Sequence, residues 1–243
     1  MRKETSVDAD TKELVLANRQ FVWGLIARGF AEEPDRAFAD IVVSEHVREE
    51  VGLVEDEATA GLVAAFEAAA GLIAPPASRD EAVAAAREDY TRIFVGPNTL
   101  VASPWETMHT TGKRVLFHRD ILSVRDAYRQ AGFLPERYRQ VADDSIGLEC
   151  DFMAKLAADA LAAFQVGETM RCQDRLLQSL TFLTDHLLRW IDSLAEAMGA
   201  HYPDTFYAAL ARFTALWCRR DEGLLNELLE DVCPVAPSER LGC

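Results

Sequence analysis

One stretch of the chain has a strict helical periodicity, and it constrains the fold more than any other feature. Apolar side chains recur there in alternating steps of four and three residues, at Leu176, Leu180, Leu183, Leu187, Trp190 and Leu194. This spacing places all of these side chains along one face of an α-helix. The pattern therefore predicts a long helix with a continuous face buried in a helical core.

The same periodicity extends over most of the sequence. Steps of four, three and four residues recur from Leu14 to Leu25 and again from Phe206 to Trp217, and we expect the first of these helices to end near Gly29. Further helices are predicted over 35–51, 55–73, 78–93 and 113–130, with a short one beginning at Pro135, another beginning after Ser145 and a last short one over 224–229.

No run of alternating apolar and polar residues predicts a strand, and no repeat or clear linker divides the chain. Apolar residues make up 49% of the sequence, which is enough to bury a core and argues against disorder. We therefore predict an all-α, single-domain bundle of roughly ten helices over residues 1–243. Polar tails are expected at about 1–10 and 234–243.

The charge balance excludes some classes of partner. The formal net charge is −15, from 40 acidic and 25 basic residues. Nucleic-acid binding requires a basic surface, so a DNA-binding regulator is disfavoured, and so is an anionic membrane surface. The balance favours cationic partners, or it serves only to keep the protein in solution.

Features of export or membrane insertion are also missing. The N-terminal stretch MRKETSVDADTKEL has no apolar core of the kind found in secretory signals. No stretch approaches the roughly 18 apolar residues that a membrane span requires. We therefore expect a cytoplasmic protein with no stable membrane insertion.

Signatures of metal binding and catalysis are absent from the sequence. The five cysteines are odd in number and no two are spaced as CxxC, which predicts reduced thiols and no zinc site. The five histidines include no pair four residues apart. The phosphate-binding glycine loops, the GxSxG elbow and the HExxH helix are missing as well. We predict no metal, no cofactor and no catalytic residue, and a nucleotide hydrolase is the enzymatic alternative.

Two segments stand apart from this helical background. The first runs from Glu88 to Pro97 and continues to the turn Ser103–Glu106, and the second runs from Asp143 to Met153. The stretch from Val95 to Thr111 is the least helical part of the chain. Loops of this length inside a compact domain are often functional.

At these segments the chain resembles the TorD/DmsD family of redox-enzyme maturation chaperones, which includes the NarJ type. The family carries an acidic-Tyr-x-x-Leu-Phe-x-Gly-Pro segment, a Pro-Pro-Trp-like turn and an Asp-His-x-x-x-Glu-x-x-Phe-Met helix. A His-Leu-x-x-Trp helix follows, which His186–Trp190 matches here. The resemblance covers roughly Leu14 to Leu229, with the motifs in the family's order.

The resemblance implies a TorD-like helical fold, as a monomer or a domain-swapped dimer, that binds another protein and catalyses no reaction. Its partner would be the precursor of a molybdenum-containing oxidoreductase with a twin-arginine leader, held until its cofactor is inserted. The alternative is a NarJ-type chaperone for a cytoplasmic catalytic subunit without a signal peptide.

The resemblance also places the family's signal-binding residues at Pro104, Trp105 and Asp144. A binder of two arginines and an apolar stretch needs carboxylates and an apolar groove. The predicted signal-peptide-binding residues are Leu100, Pro104, Trp105, Glu106, Asp143, Asp144, Ser145 and Glu149. Ser145 stands where the family usually has His. The alternative to signal-peptide binding is helix capping for Asp143 and Asp144, and packing in the core for Trp105.

Overall fold

The computed structural model describes residues 8–53, 59–75, 78–95, 100–111, 119–134 and 141–232. Eleven α-helical segments lie in these ranges: α1 Ala9–Ala31, α2 Arg36–Val42, α3 Glu45–Gly52, α4 Leu62–Ile73, α5 Arg79–Tyr90, α6 Glu106–Thr111, α7 Arg119–Ala131, α8 Ile146–Gln165, α9 Thr169–Phe182, α10 Leu188–His201 and α11 Phe206–Val232. The described part contains no strand, and the prediction of an all-α fold is confirmed.

Two π-helical turns extend this set of helices. Thr91–Val95 prolongs α5, and Leu183–Leu187 joins α9 to α10 in one continuous rod, so the described ranges hold ten continuous helices. Single π-turns inside α-helices occur often at functional sites. Both turns lie in segments that carry the family resemblance, and the second brings His186 to the site described below.

The helix with the strict periodicity forms as predicted. Leu176, Leu183, Leu187 and Leu194 have no solvent exposure, and Trp190 is almost completely buried. Leu180 is the member of the stripe that stays half-buried. The buried apolar side chains of this rod belong to the same core cluster as those of α1, α4, α8 and α11. The rod therefore forms one wall of the core.

Helix α1 packs along α8, and one glycine sets how closely they approach. A Cβ atom on Gly147, in the first turn of α8, would lie 3.2 Å from both the Cα and the backbone N of Ala31. Backbone atoms cannot move aside as a side-chain end can, so this contact leaves no room for a larger residue. Gly147 thereby brings the start of α8 against the end of α1.

A buried ion pair connects the first and last helices. Arg19 of α1 donates to both carboxylate oxygens of Asp221 in α11, at 2.5 and 3.0 Å, and neither side chain is exposed. The Trp23 indole donates to the same carboxylate at 2.8 Å, and its ring meets that of Trp217 edge-on. The Asp221 carboxylate thus accepts hydrogen bonds from both a guanidinium and an indole. These bonds offset part of the free-energy cost of removing the carboxylate from water.

Two of the predicted helix boundaries are wrong. The helix expected over residues 35–51 is two helices, because Asp35 caps the N-terminus of α2 and Ser44 caps that of α3 through bonds to Phe38 N and Val47 N. The short helix expected at Leu224–Leu229 is the end of α11, which continues unbroken from Phe206.

Other helix ends follow the backbone of the structure. Helix α5 begins after Ser78, whose side chain makes no cap bond. The rod ends at His201. The short helix predicted at Pro135 lies outside the described residues.

Three cysteines lie in the described part, and all are buried and unpaired: Cys150, Cys172 and Cys218. Burial raises the pKa of each of these thiols. A raised pKa keeps a thiol protonated and unreactive near neutral pH. These three cysteines therefore behave as small apolar core residues, and the other two lie outside the described ranges.

None of the helices in the described ranges combines the length and the hydrophobicity that a transmembrane span requires.

The close approach at Gly147 yields a stability prediction. Gly147→Ala should lower the free energy of unfolding by about 1–3 kcal/mol, because the new methyl group meets the Ala31 backbone. Gly24→Ala is the matched control, since its Cβ meets nothing within 4 Å, and it should raise the free energy by about 0.5–1 kcal/mol. Urea denaturation measures both. Equal effects of the two variants would contradict the close packing.

The buried ion pair yields a second prediction. Asp221→Ala should cost about 3–5 kcal/mol of stability, because it leaves the Arg19 guanidinium buried without its counter-ion. Asp192→Ala removes the exposed carboxylate that pairs with Arg219 and should cost less than about 1 kcal/mol. Thermal and denaturant unfolding compare the two. Similar losses would show that the buried pair is worth no more than a surface pair.

Candidate functional site

The two segments singled out by the sequence meet side by side. Glu106 N donates to Asp144 O, and Ile146 N donates to Pro104 O, each at 2.9 Å. These bonds frame an isolated antiparallel bridge between Trp105 and Ser145. We call this pairing of residues 104–106 with residues 144–146 the junction. It places the start of α6 against the start of α8.

Asp144 fastens the junction from within. Its side chain is almost completely buried, and Oδ2 accepts hydrogen bonds from Thr107 N at 3.1 Å and from Thr107 Oγ1 at 2.7 Å. The carboxylate therefore caps the N-terminus of α6, although it lies 37 residues away in sequence. Asp144 acts as a cap, but for α6 and not for α8, which it precedes in sequence.

Asp143 holds a third helix to the junction. Its Oδ2 accepts from Arg125 of α7 at 2.7 and 2.5 Å, and its backbone oxygen accepts from the Tyr128 hydroxyl at 2.9 Å. Asp143 is buried, whereas the Arg125 side chain is about one-third exposed. The two successive acids thus anchor two different helices.

Glu106 is fully buried and faces the π-turn of the long rod. His186 Nδ1 lies 2.9 Å from Glu106 Oε2, and since a carboxylate only accepts, the histidine nitrogen donates. The His186 ring packs against Phe182 at 4.7 Å between centroids. Glu106 Oε1 has no hydrogen-bond partner among the described residues.

Glu149 is a second fully buried acid beside Glu106. The Trp190 indole donates to Glu149 Oε2 at 3.1 Å, while Oε1 has no partner in the part of the chain that the structure describes. Burial raises the pKa of Glu149 well above its ordinary value, and the nearby charges of Glu106 and Asp144 raise it further. The raised pKa favours the protonated form of Glu149, which limits the negative charge buried at the junction.

His109 closes the cluster on the other side of Trp190, at 5.2 Å between ring centroids. Its Nε2 lies 2.7 Å from the backbone oxygen of Ser103, and its Nδ1 lies 2.9 Å from Ser193 Oγ. Burial lowers the pKa of His109, so the ring is neutral. In that form Nε2 donates to the carbonyl, which leaves Nδ1 to accept from the serine hydroxyl.

Two of the predicted site residues reach the surface. Trp105 and Leu100 are half-buried, and their neighbour Val101 is 52% exposed. The other predicted residues are buried: Pro104, Glu106, Asp143, Asp144, Ser145 and Glu149. Trp105 is thus the partly exposed member of the junction, and the four acids are buried with an internal partner each.

Several residues of the cluster were not among the predicted site residues. Thr107, Arg125, His186 and Trp190 hold the acids in place, and His109 packs against Trp190. These residues come from α6, α7 and the continuous rod of α9 and α10. The His186–Trp190 spacing of four residues was the one signal in the sequence that pointed to this cluster. Ser145 begins α8 without a side-chain cap bond, and its Oγ has no partner among the described residues.

Metal chemistry finds no support in the described residues. No group of three or more His, Cys, Asp and Glu side chains there has the arrangement of a metal site. The acids of the junction are instead bound to hydroxyl, guanidinium, imidazole and indole donors. Chemically, this arrangement is a hydrogen-bonded frame that leaves the aromatic side chain of Trp105 partly exposed.

The raised pKa of Glu149 predicts how stability depends on pH. A carboxyl whose pKa is higher in the folded protein than in the unfolded chain makes folding pH-dependent. The free energy of unfolding then falls as the pH rises above the ordinary pKa of 4.5. Glu149→Gln imitates the protonated form, so its stability relative to wild type should grow between about pH 4.5 and pH 7. Glu88→Gln, on an exposed side chain, is the control. Denaturation across this range measures the effect, and parallel curves would contradict the assignment.

Comparison with known proteins places the junction in a family context. The sequence pattern of the nitrate reductase delta subunit family matches residues 48–196, which is more than half of the chain and includes the junction. A Haemophilus influenzae protein described as a probable Tat proofreading chaperone DmsD is 28% identical over 127 residues, covering 52% of this chain and 55% of that protein. The match thus spans about half of that relative.

A second relative is similar over a longer stretch. The chaperone protein TorD of Vibrio cholerae is 23% identical over 154 residues, covering 63% of this chain and 68% of that protein.

Proposed function

The chain belongs to the nitrate reductase delta subunit family, and we propose that it is a cytoplasmic chaperone for the precursor of a molybdenum-containing oxidoreductase. In this proposal it binds the twin-arginine leader of the precursor and holds the enzyme until its cofactor is inserted. The family resemblance predicted from the sequence is confirmed, and so is the prediction of a non-catalytic chaperone class.

One observation carries the leader-binding proposal: the half-buried Trp105 lies on the junction, and the half-buried Leu100 and the exposed Val101 precede it closely in sequence. The bridge to Ser145 fixes the Trp105 backbone, so this aromatic side chain is pre-positioned for a ligand. Large aromatic side chains held in this way are typical centres of binding energy. The apolar stretch of a leader is a ligand of suitable chemistry for this surface.

The arginines of the leader have a less direct counterpart. The four acids predicted to receive them are buried and each has an internal partner. We propose that these acids act by shaping the junction, and that the overall charge of −15 attracts the cationic leader. Apolar contact then supplies most of the affinity, because exposed ion pairs contribute only about 0–1 kcal/mol each.

The buried state of these acids also favours a second candidate. A NarJ-type chaperone grips a cytoplasmic catalytic subunit that has no signal peptide, and it needs no carboxylates for a pair of arginines. In that case the Trp105 surface contacts the subunit itself. The two candidates differ in whether an isolated leader peptide is sufficient for binding.

Peptide titration tests the proposal. A fluorescently labelled leader from an oxidoreductase encoded nearby should bind the wild type, and Trp105→Ala should raise the Kd by at least about tenfold, through lost apolar contact. Met170→Ala is the matched control, because Met170 is 79% exposed beyond the far end of α8, about 30 Å from the junction.

The remaining outcomes separate the two candidates. Binding of the purified catalytic subunit without binding of any twin-arginine leader would favour the NarJ-type role. Equal leader affinity in the wild type and in Trp105→Ala would remove the junction as the binding surface.

A further inference from the structure

Two buried carboxylate oxygens at the junction have no donor. Glu106 Oε1 and Glu149 Oε1 accept no hydrogen bond from any described residue, and neither side chain is exposed to solvent. The other oxygen of each carboxylate is bound, by His186 in the first case and by Trp190 in the second. A buried acceptor without a donor is costly, and native structures contain few of them. Both oxygens therefore need a donor that the side-chain contacts do not supply.

The rod brings the two carboxylates side by side. His186 lies in the π-turn and Trp190 follows it by four residues in α10, so the two donors lie about one helical turn apart on the same face. Four residues of α-helix rise about 6 Å along the axis. Since His186 holds Glu106 and Trp190 holds Glu149, the two acids are neighbours on this face of the rod.

The junction fixes the same two acids from the other side. Glu106 N donates to Asp144 O at 2.9 Å, and Glu149 N donates to Ser145 O at 3.0 Å. Both acids are thus attached to the main chain around the bridge between Trp105 and Ser145. Their approach is therefore determined by the backbone as well as by the rod, and neither carboxylate can turn away without losing a donor.

The nearby side-chain donors are bonded elsewhere or out of reach. The Thr107 hydroxyl donates to Asp144, and the Arg125 guanidinium donates to Asp143. The buried Ser145 Oγ has no partner among the described residues, so it does not reach either carboxylate. A protonated carboxyl has an O–H group that donates. A proton on one of the two acids is the donor that remains.

Electrostatics favours a single proton on this pair. Burial raises the pKa of Glu149, and the negative charges of Glu106 and Asp144 raise it further. Two carboxylates held close together cannot both ionise at ordinary cost, so they retain one proton between them. A bond from the protonated acid to the ionised one satisfies both Oε1 atoms and leaves one negative charge in place of two.

The surrounding titratable groups do not replace this proton. Burial raises the pKa of the Tyr128 hydroxyl and of the Cys150 and Cys218 thiols, so all three are neutral near pH 7. Helix α1 meets this end of α8 through Ala31, which does not titrate. The titratable groups facing the pair are Asp143 and Asp144 before α8, Cys150 in α8, His109 in α6, Arg125 and Tyr128 in α7, His186 in the rod and Cys218 in α11.

We propose that Glu106 and Glu149 share one proton between their Oε1 atoms, and that this proton lock holds the junction to the rod until the pH rises and the proton passes to solvent. Once the proton is lost, two negative charges face each other in a buried site, and their repulsion separates the acids. Glu106 follows Trp105 directly in sequence, so the partly exposed indole moves with it. The lock goes beyond the proposed function, because it does not depend on which ligand Trp105 contacts.

An NMR titration without any ligand tests the lock. The protein is labelled with ¹³C at the glutamate carboxyl groups and with ¹⁵N at the tryptophan indoles. The resonances of Glu106 and Glu149 should change in one joint step between about pH 6 and pH 9, because a shared proton belongs to the pair. The indole resonances of Trp190, which donates to Glu149, and of Trp105 should shift in the same step.

Three variants isolate the pair. Glu149→Gln should remove the step, because its amide oxygen accepts from Trp190 and its amide N–H donates to Glu106 at every pH. Glu106→Gln should also remove the step from this range, because Glu149 then has an amide donor in place of a negative neighbour and titrates at lower pH. Asp144→Asn is the matched control, a buried acid of the junction outside the pair. It should keep the joint step and shift it to lower pH.

Several outcomes would overturn the proposal. Separate titration of the two carboxyls, or a step that survives unchanged in Glu106→Gln, would show that no proton is shared. An atomic-resolution structure with a water molecule between the two Oε1 atoms would assign these acceptors to water. A joint carboxyl step during which the Trp105 indole stays unshifted would overturn the lock. Since the titration contains no ligand, its result is independent of whether a leader binds.

Discussion

Two backbone hydrogen bonds, joining residues 104–106 to residues 144–146, organise the functional half of the molecule. Each contributes only about 1 kcal/mol by itself, but together they fix the register between two segments that are far apart in sequence. That register places Asp144 over the start of α6, Glu106 beside His186 and Glu149 beneath Trp190. Since these bonds involve main-chain atoms, the junction tolerates changes of side chain at its surface while its geometry stays the same. A family with different clients can keep such a frame and vary what it displays.

The sequence predicted the helical class because that class depends on local signals, whereas the family resemblance grouped residues of the two segments in one binding site. The apolar stripe that ends at Leu194 is recognisable from its helical spacing, and a turn such as Pro104–Trp105 is recognisable from its residue types. The break between α2 and α3 was missed because a single serine cap at Ser44 outweighs a continuous helical pattern around it. The partners of the buried acids were missed for another reason. Thr107, Arg125 and His186 lie on separate helices, and a sequence shows which donors exist but not which acceptor each one meets.

The acidic residues of this protein belong to two populations with different tasks. Those at the junction are buried and each accepts a hydrogen bond from an internal donor, so they stabilise the fold more than they contribute to the electrostatic potential at the surface. Glu45 and Glu49 on α3 are exposed, and they contribute to the potential that an approaching cation experiences. Net charge alone does not separate these roles, since each residue counts equally toward −15. Burial separates them, and burial was the property that the sequence could not supply.

The bond between Arg19 and Asp221 has a consequence for how the polypeptide is made. Its partners are 202 residues apart, so the guanidinium of the first helix stays without its counter-ion until the last helix has left the ribosome. During that interval α1 cannot settle into its final place, because burying an uncompensated charge is too costly. A translation product that stops before α11 would therefore carry an exposed, largely apolar first helix, which is a target for quality-control proteases. An exposed first helix thus distinguishes an incomplete chain from the complete fold.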